Sequence, residues 1–366
     1  MCGACKPGIG GLVSALEVVA EGSGATHVGQ RNHNEDAYLL DGSLSLAIVA
    51  DGVGGHQAGE VASAITCEVI QREVAAGRSI EEGIRTANRE VMAAVAQGRG
   101  KAGMASTVVV ARFSEGDYEL AWVGDSRAYL WDGQLKLLTR DHSYVQALLA
   151  KGQITLAQAR NHPRKNVIVQ AIGLQEDDKL EVGINCGRLA PGQVLVLCSD
   201  GLSDVLDSAV LSEILSSDRS LEARCDALVE TAVQAGGRDN ITVIVLPGVA
   251  ASSEAGLLEP EVLWTYDPSS GEYSGLPELE AVDGEEVPAP IPAVRRVVAR
   301  KNSAATTPNP SQPESTQMMS ASEIAAAREA MQREREQGRN RTIFWVVAAV
   351  LVAGSVVYSL GIIAAG

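Results

Sequence analysis

The 366-residue chain has no secretory cysteine framework. Cys67, Cys198 and Cys225 fall in apolar helix- or strand-like contexts and read as core residues. Cys2 and Cys5 form a Cys-x-x-Cys with no second pair behind it, so free thiols at the N-terminus are favoured over a zinc site. A signal peptide is also missing, because Leu12 to Ala20 is short and interrupted by Glu17. Positive charge is scarce: the net charge is −16, which disfavours a phosphate-backbone partner, and no nucleic acid is expected. Residues 249–294 contain no Lys or Arg, and residues 343–366 contain no charged residue of either sign.

What is present divides unevenly. Strand-like runs rich in Val, Ile and Leu cover Leu44–Ala50, Ser106–Phe113, Tyr118–Val123, Ala128–Trp131, Gln193–Ser199 and Ile241–Leu246. Gly116-Asp117 and Asp132-Gly133 supply hairpin turns. His56–Ala76 and Ile80–Ala96 read as consecutive helices separated by Gly77, with later helices over Leu211–Leu215 and Leu221–Ala235. Hairpins with helices clustered between them indicate an α+β architecture. Between Leu138 and Leu180 the pattern loosens into polar, turn-rich phrases such as Asn161-His162-Pro163-Arg164.

The chain therefore divides into an N-terminal segment (1–15), one globular domain (16–248), a linker (249–320), a juxtamembrane helix (321–341) and a membrane helix (343–366). The linker is rich in Pro, Ser, Gly and Glu and is expected to be disordered. Within it, Leu263-Trp264-Thr265-Tyr266 and Tyr273 read either as a short docking motif or as plain solvated linker. Arg295, Arg296, Arg300 and Lys301 form a small basic cluster. At ~1.5 Å per residue, a helix over the uncharged tail spans the ~30 Å hydrocarbon core. Arg333, Arg335, Arg339 and Arg341 crowd its leading flank, which points to a single-pass protein of the cell membrane with its N-terminal portion in the cytoplasm.

Four aspartates follow or interrupt apolar runs: Asp51 in Ala47-Ile48-Val49-Ala50-Asp51-Gly52, Asp125 in Gly124-Asp125-Ser126-Arg127, Asp200 in Cys198-Ser199-Asp200-Gly201, and Asp239 in Arg238-Asp239-Asn240-Ile241. An acid at the tip of a buried strand is costly unless paired, and four of them imply a shared counter-ion. Hard oxygen ligands select Mg²⁺ or Mn²⁺. Upstream, Arg31-Asn32-His33-Asn34-Glu35-Asp36 adds two acids and a guanidinium.

Taken in order, Arg-x-x-Asn-Glu-Asp, Asp-Gly-x-Gly-Gly-His, Gly-Asp-Ser-Arg, Ser-Asp-Gly-Leu and Asp-Asn-Ile-Thr resemble the metal-dependent protein Ser/Thr phosphatases of type 2C (the PPM family) in their bacterial form, over roughly residues 16–247. The resemblance implies a sandwich of two antiparallel sheets flanked by helix pairs, with metals in a cleft at one end and a flap within 138–180. It implies two Mn²⁺ or Mg²⁺ ions with a candidate third, held by Asp51, the Gly52 carbonyl, Asp200 and Asp239. Glu35 and Asp36 would act through waters and Asp125 would serve the third ion. Asn240 would fix the geometry of Asp239, and Arg31 would clamp the phosphate. The general acid stays open between His33, His56 and a metal-bound water in place of either, because Val53 stands where many relatives have His. Expected partners are phosphorylated proteins and a Ser/Thr kinase whose action is reversed. A partner-switching (anti-sigma antagonist) phosphatase and a catalytically weak phosphoprotein-binding scaffold are the alternatives; the intact acids argue against the scaffold.

Overall fold

Leu46 to Ala50 and Val194 to Cys198 are buried without a break, so these strands are covered on both faces. The alternation inside them decides what covers each face. Ala47 and Val49 pack with Val109, Leu120, Leu130, Leu195 and Ile244 in a core between two sheets. Leu46, Ile48 and Ala50 pack outward against one helix layer, and Val194, Val196 and Cys198 against another. A period of two thus generates a four-layer α+β sandwich.

The structure, a computed structural model, describes residues 19, 21–54, 58–114, 116–249 and 259–276. Along the chain come β1 (Ser23–His27), β2 (Asp36–Asp41) and β3 (Leu46–Val53), then α1 (Ala58–Ala75) and α2 (Ile80–Ala96). Strands β4 (Ala105–Ser106), β5 (Val108–Ser114), β6 (Asp117–Val123), β7 (Arg127–Trp131) and β8 (Leu135–Leu137) follow. Short helices α3 (Tyr144–Ala150) and α4 (Leu156–Arg160) precede β9 (Gly183–Arg188) and β10 (Val194–Cys198). Then come α5 (Asp200–Ser203), α6 (Ser208–Leu215), α7 (Leu221–Gln234), β11 (Ile241–Pro247), β12 (Trp264–Asp267) and β13 (Glu272–Ser274).

One sheet runs β1-β11-β10-β7-β8-β12-β13 and the other β2-β3-β5-β6-β9, with β4 beside β3. The strand pairs are antiparallel. Helix α2 has the boundaries its sequence signals. Ser79 accepts from the Glu82 N–H while the Glu82 carboxylate accepts from the Ser79 N–H, a capping box whose Ser is worth ~1 kcal/mol. Helix α1 ends at Ala75, and Gly77 just beyond it, with a φ of 82°, suits the reversal into α2.

One expectation is corrected. Residues 249–320 were expected to be a disordered linker, yet Trp264–Asp267 and Glu272–Ser274 form a hairpin that lengthens the first sheet. Trp264 pairs with Leu137 and Tyr266 with Leu135, and both aromatics are buried. The acidic composition masked a two-residue alternation around an Asp267-Pro268-Ser269-Ser270-Gly271 turn. In that turn the Asp267 carboxylate accepts from the Ser269 N–H and Oγ at 2.8 and 2.7 Å. The segments 1–15, 321–341 and 343–366 fall outside the described residues, as do Arg295, Arg296, Arg300 and Lys301. Among the described residues no helix is long and apolar enough to cross a membrane.

Candidate metal centre

The strands bring the acids to one end of the sandwich. Asp36 and Asp51 are direct cross-strand partners on β2 and β3, a juxtaposition of like charges that is destabilising by itself. Asp51 is not at the strand tip: β3 runs on to Val53, where Gly52 and Val53 pair with β4. Its backbone is fixed from the link between β4 and β5, with Thr107 N–H donating to the Asp51 carbonyl at 2.8 Å. Asp200 opens the short α5 after β10, Asp125 lies between β6 and β7, and Asp239 lies two residues before β11.

Burial drives the electrostatics. It pushes the carboxyls of Asp51 and Asp200 well above the ordinary range, and the neighbouring aspartates push further: Asp36, Asp200, Asp239 and Asp125 on Asp51, and Asp125 and Asp239 on Asp200. Asp36 is pushed up to about 7, chiefly by burial, although the hydroxyls of Thr242 and Ser199 favour its ionised form. Asp125 is likewise raised to about 7 by burial, with Asp141 and Asp204 adding to the effect. Asp51 faces both Asp36 and Asp200 at hydrogen-bonding reach. Oδ1 of Asp36 and Oδ1 of Asp200 are buried with no donor.

Arg31 reaches into this acidic end and pairs with Asp239 at 2.7 Å. Glu35 is raised by burial and lowered by Arg31 and by the Gly59 N–H at the start of α1, where the helix dipole favours an anion. The approach is close. A Cβ on Gly52 would stand 2.2 Å from the Gly59 carbonyl oxygen and 2.5 Å from that of Glu35. A Cβ on Gly29, whose φ is 62°, would stand 1.9 Å from the Asp239 carbonyl oxygen.

Three residues quoted in the sequence phrases prove to hold the site in ways the sequence did not assign. Ser199 Oγ and Thr242 Oγ1 donate to Asp36 Oδ2 at 2.9 and 2.6 Å. Arg127 donates to both Asp141 oxygens, from Nε at 3.0 and 3.1 Å and from Nη2 at 2.6 Å. Asn240 was expected to set Asp239, but only its backbone does so, through N–H to Oδ1 at 2.8 Å. Its side chain instead ties the Arg31 segment down. Nδ2 donates to the carbonyls of Val28 and His33 at 3.0 and 2.9 Å, and Oδ1 accepts from the Glu35 N–H at 2.7 Å. The His33 side chain is exposed, and His56 lies outside the described residues.

Among the described residues no three His, Cys, Asp or Glu side chains stand ready-gathered at ligating positions. The donor set nevertheless fits a divalent cation. It consists of hard carboxylate oxygens, two of them orphaned and buried, and no Lys or Arg among the described residues is ion-paired with Asp36, Asp51, Asp125 or Asp200.

Comparison with known proteins agrees with this chemistry. The family model for Protein phosphatase 2C matches residues 23–239. The serine/threonine phosphatase Stp of Listeria innocua is 36% identical over 230 residues, covering 59% of this chain and 90% of the relative. The serine/threonine protein phosphatase PstP of Mycobacterium tuberculosis is 34% identical over 222 residues, covering 59% of this chain and 42% of the relative. Among solved structures, the catalytic domain of PstP in complex with two manganese ions aligns with a TM-score of 0.55 at 29% identity, covering 63% of this chain and 98% of that one. With the acids assembled at one end of the sandwich, the chain belongs to the protein phosphatase 2C family in its bacterial form, and it is a phosphoprotein phosphatase.

Proposed function

We propose that the protein hydrolyses phosphoserine and phosphothreonine on cytoplasmic proteins, using two Mn²⁺ or Mg²⁺ ions and reversing the action of a Ser/Thr kinase. The observation that carries this reading is the cluster of Asp36, Asp51 and Asp200, whose raised carboxyls, with a buried, donor-less oxygen on Asp36 and another on Asp200, call for divalent charge. Asp51, Asp200, Asp239 and the Gly52 carbonyl would hold the two ions, with Asp125 available to a third. Bound there, the ions would lower the pKa of water and neutralise charge on the phosphoryl group.

The chain's own residues supply the rest. Ser199 and Thr242 hold Oδ2 of Asp36 and leave its Oδ1 buried without a donor. Arg31 presents a guanidinium fork suited to two phosphoryl oxygens once Asp239 is engaged elsewhere. Asn240 keeps the Arg31 and Glu35 segment against the sandwich. Membrane tethering belongs to the same proposal, supported by the uncharged 343–366 segment and its Arg-rich flank. Tethering would raise the effective concentration of the enzyme at membrane-bound phosphoproteins.

The test is phosphate release from phosphoserine, phosphothreonine and phosphotyrosine peptides with Mn²⁺ or with excess chelator. Release from the first two with Mn²⁺ alone is expected; release in chelator overturns the reading. Fractionation tests the tether: full-length protein should resist carbonate extraction, whereas a chain ending at Gln337 should be released.

A further inference from the structure

The β12–β13 hairpin lies beyond residues 23–239 that define the family match, and its placement bears on the substrate side of the site. A cavity of about 360 Å³ is walled by Asp125 and Asp200 on one side, by Leu149, Ala159 and Arg160 of α3 and α4 on another, and by Trp264 of β12. The helices of that wall are short. They are 7 and 5 residues long, lengths at which a helix has little stability of its own. Gln146, Leu149 and Ala159 are the residues they bury. Such segments open at low free-energy cost unless something outside them holds them.

The hairpin provides a hold. Tyr273 on β13 accepts a hydrogen bond at its hydroxyl from Arg160 Nη2 at 2.9 Å, and the Arg160 guanidinium lies 5.9 Å from its ring centroid. Tyr273 is itself braced. Its ring meets Trp264 edge-on at 5.3 Å and Tyr266 at 4.9 Å, and Trp264 continues to Tyr129 of β7 at 6.0 Å. The approach to the hairpin is pinned by Asn185, which exchanges two hydrogen bonds with the Glu261 backbone at 2.7 and 3.0 Å. A continuous chain of rings therefore runs from the sheet to the end of α4.

We propose that the β12–β13 hairpin is a clamp on the α3–α4 wall, with Tyr273 as its positioning residue and Arg160 as the group it holds, and that it governs how well a protein substrate is accepted. This rests on the phosphatase reading above, and it takes the cavity that Asp125 and Asp200 share with that wall as the place where a phosphorylated segment lies. A small aryl phosphate does not need the wall. The contact is exposed, so its effect is a few-fold rather than all-or-none.

The test uses full-length enzyme loaded with Mn²⁺ and two variants, Arg160→Gln and Tyr273→Phe; the second keeps the ring and removes only the hydroxyl. Amides over 144–160 should exchange with deuterium about threefold faster in both, with β3, β10 and β11 unchanged. The KM for a phosphothreonine peptide should rise by about the same factor at constant kcat, while hydrolysis of the aryl phosphate stays at the parent rate. Unchanged exchange over 144–160 in both variants overturns the clamp. Faster exchange without a change in peptide KM overturns its link to substrate, as does an equal loss on both substrates. A parent enzyme inactive on the peptide would overturn the phosphatase reading, and the exchange result would still judge the clamp.

Discussion

Arg31 and Asp239 bind one another at 2.7 Å, so two residues assigned to different tasks by the sequence are each other's partner here. The contact uses one nitrogen and one oxygen, Nη2 and Oδ2, so the guanidinium keeps donors for phosphate and the carboxylate keeps acceptor capacity for metal. Replacing Arg31 with Ala should therefore raise KM for phosphopeptide about tenfold or more, the loss of a charge-assisted bidentate contact. Mn²⁺ affinity measured by calorimetry should not fall, because Asp239 is freed. A mutant that loses Mn²⁺ at unchanged KM would show that Arg31 serves the metal ligands and not the phosphate. Both residues were legible in short ordered phrases. Their pairing was not, since 208 positions separate them.

Strand β11 shows how an element distributes such roles. Just before it, Asn240 is 4% exposed and makes three side-chain hydrogen bonds to the 28–35 segment. Asn240→Ala would leave the half-buried Glu35 N–H and two carbonyls without those partners, at a cost of about 2 kcal/mol. Denaturant unfolding should show that loss, with Arg31-dependent KM rising in parallel; a stability unchanged from the parent would contradict the pinning role. The strands that periodicity revealed, β3, β5, β6, β7, β10 and β11, are nearly continuous buried runs. Those it missed include all four sheet edges: β1, β2, β9 and β13. Edge strands are partly exposed and polar, so their apolar signal is diluted while their pairing is fixed by the neighbour. Strand β8 has 3 residues, too few to show a period, and the alternation of β12 sits in an acidic stretch.

The whole domain carries the burden of its acids. In the folded, metal-free protein Asp36 and Asp125 titrate at about 7, against an ordinary value of 3.8. A raised carboxyl binds more protons folded than unfolded, so stability is retained below the ordinary value and lost as pH rises through the folded one. Carboxylates shifted the other way, Asp41, Glu82, Glu176 and Asp267, lose their contribution only on acidification below the ordinary range. Chelator-treated protein should therefore melt at a lower temperature at pH 8 than at pH 5, by about 5 °C or more, and Mn²⁺ should restore it at pH 8. A melting temperature that rises from pH 5 to pH 8 in chelator would contradict this sign. Four acid phrases made the centre readable in the sequence, because each sets an aspartate in or beside a buried apolar run. The ring-braced hairpin beyond it was hidden by an acidic composition that resembles linker.

The decisive titration is Mn²⁺ into chelator-treated, dialysed full-length protein, followed by calorimetry and compared with Asp51→Asn. Asp51 faces Asp36 and Asp200 and receives the repulsion of four carboxylates. The substitution should thus abolish Mn²⁺ uptake at two sites and most turnover, while stabilising the metal-free fold by about 1 kcal/mol. Mn²⁺ uptake by Asp51→Asn equal to that of the parent, or parent turnover undiminished in excess chelator, would show that the buried carboxylates are not the metal centre.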